Sequence, residues 1–314
     1  MKNEMIWGFM LMLSDHQWED EHCVRRGWHL PPNYTQDICF DLSAWDKTVD
    51  FIAERGYNLA LIDVGDGIKY ESHPEISAPN ALDKALFRRK LQEMRGKGIE
   101  PIPKLNFSTA HDTWLKEYRR PISTPAYYRV CADVIREVCE VFDTPRFFHI
   151  GFDEEFVVEW EMAVVRHGEL WWHDLYFFVR ECEKNGARAW MWSDYMVRHP
   201  EIFLKKMPKS VVQSNYYYRE FVDVPESDWR YRWMDGYRVL EREGFDQIVC
   251  TSTYDTNHSS LSTCGFCKKE LSSEHFLGIM TASWEATTER MLYSLYNDAH
   301  QLYLGRKQYY PETL

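Results

Sequence analysis

The sequence predicts an α/β protein built as a single closed (β/α)₈ TIM barrel over residues 1–314, and three observations carry that expectation. Eight short, near-continuous apolar runs recur along the chain, at 5–13, 58–64, 99–106, 146–152, 188–193, 210–217, 246–252 and 277–284. Such runs are what parallel strands buried on both faces require. Helical patterns alternate with them, at 43–55, 81–97, 125–142, 166–185, 198–206, 229–243, 266–275 and 288–303. Strict alternation of strand and helix implies a parallel sheet. The chain of 314 residues matches the ~250 residues plus insertions typical of a closed barrel.

Taken in order, the first run (5–13, MIWGFMLML) is the most apolar segment. It falls well short of the ~18 residues a membrane span needs and lacks a cleavage signal, so it reads as a buried strand. No Gly-rich turn follows it, which removes support for a dinucleotide-binding sheet. Asp41 or Ser43 is placed to cap the first helix, and Gly56 to end it. Asn185-Gly186 stops the fourth helix and Gly244 the sixth. Long loops follow the first three strands, at 14–42, 65–80 and 107–124. The first of them holds Asp15, His16, Trp18, Asp20, Glu21, His22 and Trp28, candidates to wall a pocket.

Composition narrows the function. The formal net charge is −12, with no basic run. Nucleic-acid and anionic-membrane binding need concentrated Lys and Arg, so neither is expected. Aromatic residues make up 16% of the chain, including 13 Trp and 19 Tyr, and many fall at strand ends. Rings placed there suit a carbohydrate, whose apolar face lies flat on them. The eight cysteines lack the spacing of a disulfide framework and read as reduced thiols in a cytoplasmic protein. Cys264 and Cys267 are the one suggestive pair; a zinc site would need Cys250 and His258 as well. No metal and no organic cofactor is expected.

Active sites of such barrels lie at the C-terminal strand ends. The fourth run ends His149-Ile150-Gly151-Phe152-Asp153-Glu154-Glu155. Three consecutive carboxylates on leaving an apolar strand are costly unless partnered or used. Adjacent strand residues point to opposite faces, so a bend is required if Asp153 and Glu154 are to share the pocket. Trp190 and Trp192 share one sheet face; Tyr216, Tyr217 and Tyr218 cannot all face inward.

The segment His149 to Glu154 resembles the His-x-Gly-Gly-Asp-Glu signature of family 20 glycoside hydrolases, the β-N-acetylhexosaminidases. Pro103-Lys104-Leu105-Asn106 followed by His111 is similar to the family's Pro-Glu-Ile-Asp run and histidine. Trp190 and Trp192, Tyr254-Asp255 and Trp284-Glu285 agree in order. The resemblance implies substrate-assisted retaining hydrolysis of a terminal 2-acetamido sugar. Glu154 would be the acid and then the base, and Asp153 would orient the acetamido group. His111, His149, Trp192, Tyr254, Asp255, Trp284 and Glu285 would bind or support the substrate, an oligosaccharide or glycoconjugate. Two alternatives stand beside it: a direct nucleophile, Glu285 or Asp194, or a sugar-binding barrel without turnover. Two departures stand out. Phe152 replaces a family Gly, narrowing the space behind the pair. Asp15 falls where the family has a first-strand arginine, with Arg25 and Arg26 farther on.

Overall fold

The computed structural model describes residues 4–17, 35–155, 165–271 and 274–314. The loop residues Trp18, Asp20, Glu21, His22, Arg25, Arg26 and Trp28 lie outside this range.

Eight parallel strands close into a barrel in sequence order. They are β1 (Ile6–Met12), β2 (Leu59–Asp63), β3 (Glu100–Lys104), β4 (Phe147–His149), β5 (Arg188–Trp192), β6 (Val212–Ser214), β7 (Gln247–Thr251) and β8 (Phe276–Ala282). Seven fall inside their apolar runs and β8 begins one residue before its own, and β1 pairs with both β2 and β8 to close the ring. Side chains alternate between two cores, as strand geometry dictates. Met10, Leu61, Ile102, Phe147, Trp190 and Met280 fill the barrel interior. Phe9, Ala60, Ile62, Phe148 and Met191 face the surrounding helices.

Nine helices pack outside: α1 (Leu42–Ala53), α2 (Lys84–Gly96), α3 (Pro125–Val141), α4 (Glu169–Lys184), α5 (Asp194–Arg198), α6 (Pro200–Lys206), α7 (Trp229–Arg242), α8 (Ser259–Glu270) and α9 (Leu292–Tyr309), among the described residues. The strong starts are chemical. Thr124 accepts the Tyr127 N–H with Pro125 in the first turn of α3, and Asp228 accepts the Arg230 N–H of α7 at 2.9 Å. Both satisfy amides that a helix start leaves open. The expected cap of α1 is not formed. Asp41 instead accepts the Glu289 N–H at 2.8 Å, and Ser43 donates to the Glu289 carboxylate at 2.5 Å. These residues tie α1 to the loop after β8.

Three helices differ from the pattern. The helix expected at 198–206 is two, α5 and α6, broken before Pro200, whose ring excludes the preceding residue from helical geometry. The helix expected at 266–275 runs over Ser259–Glu270, because its first turns bury small polar residues that give no apolar signal. A 3₁₀ segment at Thr113–Arg119 lies in the loop after β3. Cys264 and Cys267 belong to the helix-facing core, whereas Cys250 lies inside the barrel. The sheet separates them, so the grouping a zinc ion needs is not formed. No described helix is long and apolar enough to cross a membrane.

Candidate active site

The site forms where β4 runs out. Gly151, Phe152 and Glu154 all adopt left-handed backbone conformations, with φ of 72°, 71° and 57°. That run supplies the bend needed for neighbouring acids to reach one pocket. Gly151 is obligatory here: a Cβ on it would lie 1.8 Å from Asn106 Oδ1. For Phe152 the same conformation costs about 1–2 kcal/mol. Its ring does not narrow the space behind the acids. It points into the helix layer against Trp171 and Phe178 of α4, at 5.3 and 5.5 Å, under the Arg166 guanidinium at 4.4 Å.

The three carboxylates have separate fates. Glu155 turns away and is held by Arg166, whose Nε lies 3.1 and 3.2 Å from its two oxygens, and by the Thr109 N–H at 3.0 Å. Arg166 also reaches Asp174 at 2.9 Å, so this buried ion network anchors the loop that carries the other two acids.

Asp153 and Glu154 share a histidine. His111 Nε2 lies 3.3 Å from Asp153 Oδ2 and 3.2 Å from Glu154 Oε2. Burial alone would push the imidazole down, but the two carboxylates outweigh it and raise its pKa to about 9. The reciprocal effect falls on Asp153. Burial opposes its charge, yet His111, the Lys104 charge and the Asn106 amide together hold it at about 2. Asn106 Nδ2 donates to Asp153 Oδ1 at 2.9 Å, and the Ser108 hydroxyl donates to the Asp153 carbonyl. The Glu154 side chain is 36% exposed and opens to solvent, against 10% for Asp153. One acid is enclosed and kept ionised; its neighbour is reachable.

The Glu154 N–H donates to Asp194 Oδ2 at 3.1 Å. Burial, then the nearby Asp153 charge, raises the Asp194 pKa to about 8, so Asp194 keeps its proton at neutral pH. Beneath the acids, Asp63, Lys104 and His149 lie in register across β2, β3 and β4. Lys104 is fully buried and pairs with Asp63, which also accepts from Gln17 at 2.7 Å. Asp15, aligned where an arginine was sought, instead accepts the Cys39 N–H at 2.9 Å. The third strand contributes Lys104 as a buried cation below the acids.

His149 is fully buried against Trp190 and Trp192, with ring centroids at 4.9 and 4.6 Å. Its Nδ1 accepts the Gly151 N–H at 3.0 Å, which places the proton of the neutral ring on Nε2. Burial and the Lys104 charge keep it neutral. Trp190 lies deeper and donates to Ser214 at 2.7 Å. Trp192 meets Trp284 and Tyr216 at 5.8 and 5.7 Å, forming an aromatic wall. Tyr218 extends it by stacking on Tyr216 at 5.6 Å, whereas Tyr217 turns outward against Phe221.

Tyr254 is 42% exposed at the rim, its ring 6.4 Å from Tyr218. Asp255 is farther out and ion-paired with Arg219 at 3.0 Å. Glu285 follows Trp284, and its charge is felt by Asp298 on α9. The expected residues thus divide. Asp153, Glu154 and His111 meet directly, His149, Trp192 and Trp284 adjoin them, and Tyr254, Asp255 and Glu285 lie toward the rim. Sequence reasoning passed over Ser108 and Asp63; it quoted Lys104 and Asn106 only as part of the third-strand run, weighed Asp194 only as a direct nucleophile, and did not choose among Tyr216, Tyr217 and Tyr218. Only the tyrosines carried a usable signal, because i, i+2 alternation puts Tyr216 and Tyr218 on one face.

No family model and no curated protein sequence matches the chain. Solved structures do. The chain aligns over 99% of its length with a family 20 exo-β-N-acetylglucosaminidase from Vibrio harveyi solved with N-acetylglucosamine, at TM-score 0.60 and 14% identity. It aligns over 98% with the β-N-acetylhexosaminidase of Bacteroides fragilis (TM-score 0.63, 13% identity), covering 71% of that chain. The barrel is similar to theirs in fold. Dispersin B matches over 96% of this chain and 99% of its own length, at TM-score 0.61 and 14% identity. The chain spans 57% of the Vibrio harveyi enzyme and 52% of a Flavobacterium johnsoniae chitobiase.

Proposed function

We propose that the protein is a glycoside hydrolase of the β-N-acetylhexosaminidase type, cleaving a terminal 2-acetamido sugar by substrate-assisted retention. The observation that carries this is the unequal pair of adjacent acids joined through His111. An enclosed carboxylate held ionised beside a solvent-reachable one separates the part of fixed anion from that of proton carrier. Asp153, held ionised, accepts the acetamido N–H and turns the carbonyl oxygen toward the anomeric carbon. That oxygen attacks, and Glu154 gives its proton to the departing glycosidic oxygen. The bond to the aglycone breaks with its electron pair on that oxygen. Glu154 then takes a proton from water as the water attacks the same carbon, opening the cyclic intermediate with net retention.

The remaining roles follow from position. Trp192, Trp284 and Tyr216 enclose the acetamido methyl and the sugar face. Tyr254, swinging in from the rim, hydrogen-bonds the acetamido oxygen, and Asp255 and Glu285 take sugar hydroxyls. His149 supports the floor and does not touch substrate. A direct nucleophile at Asp194 fits poorly, because a carboxyl that stays protonated to about pH 8 is a weak one. On this reading the barrel is one catalytic unit over residues 1–314, needs no metal or organic cofactor, and acts on an oligosaccharide or glycoconjugate. The net charge of −12 and the unpaired described cysteines favour a cytoplasmic carbohydrate enzyme over one that binds nucleic acid or membrane.

The test is release of chromophore from aryl β-glycosides with and without the 2-acetamido group, by wild type, Asp153→Asn and Glu154→Gln. Cleavage confined to acetamido sugars, and lost in both variants, is expected. Equal cleavage of sugars with a plain 2-hydroxyl would remove the acetamido role from Asp153. No cleavage of any substrate in the panel would leave a sugar-binding barrel.

A further inference from the structure

We propose that Asp194, at the start of α5, is the positioning residue that holds Glu154 in its working conformation while adding no charge to the site. The proposal rests on Glu154 being the proton-transferring group of the reading above.

Glu154 sits at φ 57°, a region that a non-glycine residue occupies only when its surroundings hold it there. Glu154 lies five residues beyond the end of β4 at His149, outside the strand ladder that would otherwise take its backbone amide. Asp194 Oδ2 is that acceptor, at 3.1 Å across 40 residues of sequence. Asp194 is itself fixed. It follows β5, is 2% exposed, and lies at the first position of α5. Its neighbours are set by three elements: Asp153 and Glu154 after β4, Arg198 on α5, and Tyr216 after β6. The other oxygen, Oδ1, has no hydrogen-bond partner among the described residues. That is where a proton belongs on a carboxyl whose Oδ2 accepts an N–H.

The protonated form has a consequence. An ionised Asp194 beside Asp153 and Glu154 would make three mutually repelling anions facing one His111. A neutral Asp194 accepts the amide and leaves the charge pattern of the pair untouched. An asparagine can do the same, because its carbonyl oxygen accepts and it carries no charge. An alanine cannot.

The experiment measures kcat and KM against pH for an aryl 2-acetamido-β-glycoside with Asp194→Asn and Asp194→Ala. Turnover by wild type and its loss in Glu154→Gln come first. If those fail, the reading of Glu154 fails, and Asp194 has not yet been addressed. Given turnover, Asp194→Ala is expected to lower kcat by about tenfold or more with KM within about twofold, the pattern of an interaction needed only in the transition state. Asp194→Asn should restore kcat to within about threefold, with the alkaline limb of its pH profile unmoved below about pH 8, where Asp194 holds its proton. An ionised Asp194 would instead make that limb fall by about one pH unit on removal of its charge, which overturns the proposal. So does Asp194→Ala with wild-type kcat, or Asp194→Asn as damaged as Asp194→Ala. Should Asp194→Ala not fold by circular dichroism, the pH profile of Asp194→Asn decides alone.

Discussion

Replacing His111 by leucine tests the electrostatics of the acid pair through stability as well as rate. The imidazole is fully enclosed, and burial lowers its proton affinity. The contacts with Asp153 and Glu154 reverse that and carry the pKa from 6.5 to about 9. A difference of that size between folded and unfolded chains corresponds to about 3 kcal/mol. The sign follows from which state holds the proton. Between pH 6.5 and about 9 the folded chain keeps a proton that the unfolded chain has released, so stability falls as pH rises. The contribution is full below pH 6.5 and gone above about pH 9. Urea denaturation of wild type and His111→Leu across that range is the assay. Wild type should exceed the variant by about 3 kcal/mol near pH 6, and the gap should close toward the alkaline end. A gap constant across the range would refute the reasoning, because a packing loss does not titrate. The variant should also lose turnover, since Asp153 loses the cation that keeps it ionised.

Three further outcomes follow from packing and charge. Phe152→Gly removes about 1–2 kcal/mol of backbone strain but empties a buried ring worth about 3–5 kcal/mol, so thermal unfolding should show net destabilisation; a more stable variant would mean the ring is not packed against Trp171. Gly151→Ala drives a methyl into Asn106 Oδ1 at 1.8 Å, displacing the amide that holds Asp153, and should abolish turnover while a crystal structure shows Asn106 moved. Arg166→Met leaves Glu155 and Asp174 buried without their cation, a loss of about 3–5 kcal/mol in denaturant titration; a loss under about 1 kcal/mol would show that water reaches them.

The barrel was legible because its determinants are local. Eight apolar runs at strand length and the glycines that end helices are written in consecutive residues, and every strand fell within one residue of its run. Helix α8 was placed too late because Ser259, Ser260 and Thr263 are buried, and burial of small hydroxyl residues has no apolar period. The acids were legible as residues but not as an arrangement. Nothing near Asp153 announces that His111, in a loop after β3, bridges both carboxyl groups. Asp194 looked like a second candidate acid, and only its enclosure shows why it stays protonated. The Asp63–Lys104 pair was invisible for a similar reason. A lysine in an apolar strand reads as an interruption until the register sets its carboxylate beside it. Asp15 shows the converse, since alignment put it near the pocket and its hydrogen bond to Cys39 shows it serving the loop.

The central claim is that the substrate's own acetamido oxygen is the nucleophile, oriented by Asp153. The most direct test compares aryl 2-acetamido-β-glycosides carrying zero to three fluorines on the acetyl methyl, with wild type and Asp153→Asn. Fluorine weakens the carbonyl oxygen as a nucleophile without changing the leaving group. The account predicts a steep, progressive fall in kcat/KM with each fluorine for wild type, and a rate already low in Asp153→Asn. A rate independent of fluorination would contradict it and leave a protein carboxylate as the attacking group.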